Sequence, residues 1–296
     1  LIARRGDIGR SAVITESEKG WICGTGCMVL RPNALVDARF LRRVFASRRV
    51  VGRIIASAVG STMVNLNHSA LATVSIQLPP LPEQRAICRA LSDLDDLISA
   101  LDKLIEKKRA IKQATMQQLL TGRTRLPGFG GEWEQVCAGE IGTFRGGNGF
   151  PLDEQGSSAG EFPFFKVSDM NSSQNETYMS TARNYIDESQ RKRNGAFVFP
   201  RNTIVFAKVG AAIFLERKRI LSRPSCIDNN LAGFIRSRLD VEVRFLHHLF
   251  LMTSLANFVA TTALPSINSG VFSKLKFNLP PLPEQKRIVA ILDEAF

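Results

Sequence analysis

Leu78-Pro79-Pro80-Leu81-Pro82-Glu83-Gln84 recurs, residue for residue, as Leu279-Pro280-Pro281-Leu282-Pro283-Glu284-Gln285. Seven identities at one spacing mark an internal repeat, and a repeat decides the architecture before any single element does. The likeness continues upstream at the same spacing, where Asn65-Leu66-Asn67 faces Ser266-Ile267-Asn268. The alternating stretch Ala72-Thr73-Val74-Ser75-Ile76-Gln77 faces Lys274-Leu275-Lys276-Phe277-Asn278, so each copy predicts a strand running into a proline-bounded stop. Further back, three residues enter or leave a loop. Ala3-Arg4-Arg5-Gly6 then faces Ala207-Lys208-Val209-Gly210, and Trp21–Met28 faces Ser225–Ala232.

The chain therefore holds two versions of one domain, with Leu1 opposite Val205. A second unit opening near Leu126 leaves the first short of roughly 79 residues by this arithmetic. Both ends read as cut: the chain starts at Leu1 rather than methionine and stops four residues after Leu292, inside a helical pattern. The second helix would then lack about 33 residues. The expected domains are 1–78, the later part of the first copy; 79–125, a long helix; 126–278, the second copy; and 279–296, the start of a second helix.

Downstream of the first motif the period changes. Ile87, Leu91, Leu94, Ile98, Leu101 and Ile105 alternate spacings of four and three, a heptad seam. Pro82 suits a first helical turn, and Gly122 followed by Pro127 supplies a stop. A helix from Glu83 to about Leu120 would be roughly 55 Å long. Ile288, Ile291 and Leu292 begin the same pattern after the second motif, so two such helices could pair. The seam either packs on its own domain or serves as a projecting spacer and partner surface. Its length and the late cluster Lys103, Lys107, Lys108, Arg109 and Lys112 favour the second, with Leu94, Ile98, Leu101 and Ile105 as partner contacts.

Composition narrows the function class. A net charge of +12, 44% hydrophobic residues and no apolar run of membrane-spanning length point to an anionic partner, nucleic acid rather than bilayer. Five scattered cysteines and no signal-peptide pattern read as a reduced, cytoplasmic protein. Cys23 and Cys27 lack a second ligand pair, so no metal site is expected.

Enzyme signatures fail in turn. Phe144-Arg145-Gly146-Gly147-Asn148 misses the last glycine of an amino-methyltransferase cofactor loop, and both Pro-Pro pairs are flanked by leucines instead of forming Asn-Pro-Pro-aromatic. Glu106-Lys107-Lys108 and Glu216-Arg217-Lys218 have a nuclease-like spacing but no convincing upstream aspartate, and no Gly-x4-Gly-Lys-Ser/Thr loop is present.

Two divergent domains that each end in L-P-P-L-P-E-Q and open a long helix resemble the specificity subunit of type I restriction-modification enzymes. Ala58–Asn67, Gly131–Phe150, Phe164–Met170 and Thr121-Gly122-Arg123 add weaker family-like phrases. The resemblance implies a mixed α/β (α+β) fold with two target recognition domains separated by long coiled-coil-forming helices. It implies a non-catalytic subunit that reads a bipartite double-stranded DNA target and binds modification (methyltransferase) and restriction subunits. S-adenosylmethionine, ATP and Mg would be bound by those partners, and no cofactor by this chain. The competing class is a stand-alone DNA-binding or coiled-coil interaction protein, against which two non-identical readers argue.

Base readout needs polar side chains on loops and exposed edges, with Arg or Lys suited to guanine and Asn or Gln to adenine. The second domain offers Arg145, Asn148, Lys166, Ser168, Arg191, Lys192, Arg193, Lys208, Asn229 and Asn230. The first offers Arg4, Arg5, Asn65 and Asn67, and its surplus of charge is larger. Arg39, Arg42, Arg43, Arg48, Arg49 and Arg53 interleave with apolar residues as on one amphipathic helix, whose basic face is either solvated or laid against phosphates. Phe162, Phe164, Phe165, Phe197, Phe199 and Phe206 lie at strand-like spacing and are expected in the core.

Overall fold

A computed structural model describes residues 1–57, 65–260, 265–267 and 269–295. It divides into two compact units, Leu1–Glu106 and Lys107–Phe296. The family-like phrase beginning at Ala58 is outside the described residues as far as Val64, as is Asn268.

The first unit contains β1 (Ile2–Ala3), β2 (Cys27–Met28), α1 (Ala38–Phe45), α2 (Arg48–Ser57) and α3 (His68–Ala72). The helix α4 (Leu81–Leu120) crosses the division between units. In the second unit follow β3 (Glu134–Cys137), α5 (Ala138–Ile141), β4 (Gly142–Gly146), β5 (Phe162–Phe165), β6 (Tyr178–Met179), β7 (Tyr185–Ile186) and α6 (Glu188–Arg193). Next come β8 (Ile204–Ala207), β9 (Lys218–Leu221), β10 (Cys226–Ile227), β11 (Leu231–Arg236), α7 (Val243–Met252), β12 (Val259–Ala260), β13 (Ser266–Ile267), α8 (Ser269–Phe272), β14 (Lys276–Leu279) and α9 (Leu282–Ala295).

The repeat is visible as repeated hydrogen bonding. Ile2 pairs with Met28 and Ala3 with Cys27, in the register by which Phe206 pairs with Ala232 and Ala207 with Leu231. Arg4 N donates to Gly26 O as Lys208 N does to Asn230 O, and Leu66 N donates to Arg4 O as Ile267 N does to Lys208 O.

The glutamine of each proline motif has one job in both units. Gln84 Oε1 accepts from Asp37 N (2.8 Å) while its amide donates to Leu35 O and Pro79 O; Gln285 Oε1 accepts from Glu242 N (2.7 Å) while its amide donates to Asp240 O and Pro280 O. Asp37 caps α1 and Glu242 caps α7, so a buried amide ties the cap of α1 to the opening turn of α4, and that of α7 to the opening turn of α9.

In the second unit the main sheet has the order β4-β11-β8-β9-β6, and a smaller one the order β10-β5-β7. Phe206, Phe234, Phe250 and Phe272 fill the core between the main sheet and α7 and α8. Of the six phenylalanines expected inside, Phe164, Phe165, Phe199 and Phe206 are fully buried. Phe162 and Phe197 are half-buried.

Helix α4 opens where Glu83 N and Gln84 N reach Pro80 O, with Pro82 in the first turn where its missing N–H costs nothing. Gly122 stops it at φ 72°, a left-handed position packed under the Trp133 ring, where any side chain would be strained. Met116, Leu119 and Leu120 at its end share the second unit's core with Ile288 and Leu292 of α9. The seam between has a different fate: Leu94, Ile98, Leu101 and Ile105 are each about half exposed, at 54%, 57%, 48% and 48%.

Two local expectations fail. Residues 73–80 form no strand, whereas their counterpart β14 pairs with β3; among the described residues of the first unit nothing matches β3, and a strand without a ladder partner has no reason to persist. The arginine-rich segment is two helices, broken at Ala46-Ser47, because Phe40, Phe45, Val50 and Ile54 all turn inward only if the chain bends there.

Candidate nucleic-acid interface

One end of the second unit's sheets collects its readers. In the main sheet β4 and β8 both run antiparallel to β11, so both end where β11 begins. The turn Asp228-Asn229-Asn230 enters β11 at that end, and β5 finishes beside it, with Asp228 N donating to Phe165 O. Topology thus brings Arg145 and Gly146 (end of β4), Lys166 (after β5), Lys208 (after β8), Asn229 and Asn230 to one corner. Gly147 makes that packing feasible: a Cβ there would run into the Asp228 and Ile227 carbonyls, whereas one on Gly146 would meet only the movable end of Lys208.

Asp228 is the acid at the centre of this corner. Burial pushes its carboxyl pKa up, against the pull of its hydrogen bonds from Asn230 and the positive charge of Lys166. It shapes the Asn229-Asn230 turn, and both asparagines are exposed. Lys166 reaches Gln155 Oε1 at 2.7 Å, and exposed Ser168 follows it in a short helical turn closed by Asp169. Lys208 is half-buried and its ammonium enters no hydrogen bond or ion pair among the described residues.

Other candidates have partners within the protein. Asn148 donates to Gly195 O and accepts from Phe197 N, each at 3.0 Å, which clamps the strip after β4 to the strip after α6. Arg191 forks onto Glu188 and also donates to Ala196 O; Lys192 lies 3.6 Å from Glu188, and Arg193 donates twice to Glu154. These pairs hold Glu188 and Glu154 below the usual carboxylate range, but all are solvent-accessible and so weak and salt-sensitive. Between α6 and β4 runs a groove of about 700 Å³ lined by Arg145, Arg191, Lys192 and Phe197.

In the first unit Arg4 occupies the place of Lys208 and its Nε donates to Asn65 Oδ1 at 3.3 Å. Arg5 is exposed beside the Gly6 turn, where φ is 69°. Asn67 is the cap of α3, accepting from Ala70 N. On the arginine-rich helices Arg43 binds Asp95 and Arg53 donates to Ser75 O, leaving Arg39, Arg42, Arg48 and Arg49 exposed.

The sequence reading missed Phe197 as part of a site. Its ring lies under the Arg145 guanidinium at 3.7 Å, a contact between residues 52 positions apart for which no local pattern exists. It also left His247 and His248 without a role. They are buried on α7, where His247 Nε2 meets Lys218 O and His248 Nε2 meets Asp293, joining the domain to α9. Glu216 and Lys218, of nuclease-like spacing, form a structural pair: Glu216 accepts from Lys218, Ser254, Leu255 N and Ala256 N.

The sequence matches the type I restriction modification DNA specificity domain over residues 1–113 and again over 130–295. The chain belongs to this family. Each matched span holds one copy of the repeat with its proline motif. Among relatives it is 23% identical over 298 residues to the type I restriction enzyme MjaVIII specificity subunit of Methanocaldococcus jannaschii, covering 95% of this chain and 68% of that one. It is 22% identical over 295 residues to the StySPI specificity subunit of Salmonella potsdam, covering 92% and 61%.

Two solved structures share the fold. One, described under the structural basis of complex assembly and conformational transition of the type I R-M system, matches with a TM-score of 0.60 at 21% identity, covering 99% of this chain and 72% of that one. The type I S subunit from M. genitalium matches with a TM-score of 0.55 at 18% identity, covering 99% and 75%. The family's specificity domains are therefore the two repeats, each carried on a proline motif and its helix. No helix among the described residues is long and apolar enough to cross a membrane.

Proposed function

We propose that this chain is the DNA specificity subunit of a type I restriction-modification complex, reading a bipartite duplex target with its two domains and directing partner subunits to it. One observation carries the reading: the same hydrogen-bonded strand pair occurs twice, with Arg4 and Lys208 at the same position beside it, and each copy is tied by one buried glutamine to the start of a helix. Two related but non-identical domains suit two unlike half-sites. The 40 residues of α4 make a helix of about 60 Å, which begins at the first proline motif.

In this reading the chain does no chemistry. Modification subunits dock on the seam of Leu94, Ile98, Leu101 and Ile105, bind S-adenosylmethionine and methylate adenine, while a restriction subunit hydrolyses ATP with Mg. The complex acts in the cytoplasm, where it meets DNA. Reconstitution with the cognate modification subunit tests this. Transfer of methyl groups to DNA should require this chain and map to a split motif. Sequence-specific DNA binding without any association with that subunit would favour a stand-alone DNA-binding protein instead.

A further inference from the structure

Among the cations at the second unit's corner, Arg145 is set apart by how it is held. Its guanidinium carbon lies 3.7 Å from the Phe197 ring centroid, so the planar group lies on a planar support. No hydrogen bond or ion pair among the described residues uses any of its N–H groups, and the side chain is exposed. Neighbouring arginines differ: the forks of Arg191 and Arg193 are filled by Glu188 and Glu154.

The backbone beneath Arg145 is fixed from both sides. Two residues after it, Gly147 admits the backbone of the Asp228 turn. The next, Asn148, binds Gly195 O and Phe197 N, the strip that carries the supporting ring. One side-chain amide thus couples the reader's strand to its platform.

We infer that Arg145 reads a guanine in the half-site of the second domain, its stacked fork donating to O6 and N7 in the major groove while Lys208 and Lys192 meet the flanking phosphates. The inference rests on the DNA-reading function proposed above. A phosphate contact needs only a positive charge within reach, which a mobile lysine supplies. A fork fixed in plane with its donors open is the geometry that bidentate purine recognition requires. The two charges beside it add affinity that is blind to sequence.

The test uses the full chain assembled with its modification subunit, with methylated motifs mapped genome-wide and DNA affinity measured as a function of salt. The wild-type half-site assigned to the second domain should contain a G·C pair. R145Q should relax the motif at that one pair and lower affinity for the cognate site on the order of 10- to 100-fold, with the other half-site unchanged. R145K should fail to restore discrimination, because an ammonium lacks the fork. F197L, which leaves the charge but removes the flat support, should relax the same pair more mildly.

An unchanged motif with uniformly weaker binding and a salt slope shallower by about one would make Arg145 a phosphate contact and overturn the inference. So would a wild-type half-site without guanine, or a motif and affinity indifferent to R145Q and F197L. An assembly that yields no discrete motif with the wild-type chain would overturn the function itself. Since the Arg145 guanidinium holds no partner other than Phe197, R145Q should lower the thermal unfolding midpoint by no more than about 2–4 °C, which separates loss of reading from loss of fold.

Discussion

Replacing Gln285 with alanine should destabilise the second unit by about 3 kcal/mol. The side chain is 1% exposed and makes three hydrogen bonds, to Glu242 N at 2.7 Å, Asp240 O at 3.0 Å and Pro280 O at 2.8 Å. Alanine strands all three backbone groups in a site too enclosed for each to find water, at about 1–3 kcal/mol per unsatisfied group before relaxation. It also opens a small cavity against the core.

For a unit of this size the thermal midpoint should fall by roughly 6–12 °C. Gln285→Glu is the sharper variant. The carboxylate still accepts from Glu242 N but faces two carbonyl oxygens with no donor, so the loss should equal or exceed that of alanine. Chemical denaturation of the three proteins gives the comparison. A loss below about 0.5 kcal/mol for alanine, or a harmless glutamate, would refute the claim that this amide is what joins domain to helix. Gln84→Ala should produce the parallel lesion in the first unit, where the same three bonds recur.

Arg125→Ala should cost about 3–5 kcal/mol by urea denaturation, because it leaves the Glu284 carboxylate, fully buried and bound at 2.8 and 2.9 Å, without its partner. An R125A/E284Q double variant should recover much of that loss. Burial holds the His247 imidazole down to about 4, so the unfolded chain binds an extra proton between that value and about 6.5; stability should fall as pH drops through that window, by at most about 1.4 kcal/mol per pH unit, and H247Q should flatten the dependence between pH 7 and 5.5. Leu101→Gln should change stability by less than about 1 kcal/mol, since the side chain is already 48% exposed, yet weaken co-elution with the modification subunit in size-exclusion chromatography. Gly147→Ala should destabilise by about 1–3 kcal/mol, measured by thermal unfolding, because its Cβ has to displace the Asp228 carbonyl.

What was legible in the sequence follows from what leaves a periodic trace. The repeat, a long helix from Glu83 to about Leu120 and its glycine stop leave a trace in the sequence, and the structure carries the helix as Leu81–Leu120 with Gly122 at its end. The strand expected at Ala72–Gln77 was misread because alternation reports only a willingness to be a strand, while the partner that β3 provides to β14 is a long-range fact. Among the candidate readers, residue type could not show that Asn67 caps a helix or that Asn148 clamps two strips, since a cap and a base contact ask for the same side chain. Phe197 carries no sequence signal as a platform, because core phenylalanines and stacking phenylalanines share one strand-like spacing. The convergence of Arg145, Lys166, Lys208 and Asn229 needs the antiparallel order of β4, β11 and β8, which spacing alone does not encode.

The most direct measurement is adenine-methylation mapping in cells that express the cognate modification subunit with this chain, with and without residues 129–278 exchanged for those of another family member. The expected result is a split methylated motif in which the exchange rewrites one half and leaves the other half unchanged. A motif that survives the exchange intact, or methylation that does not depend on the chain at all, would contradict it.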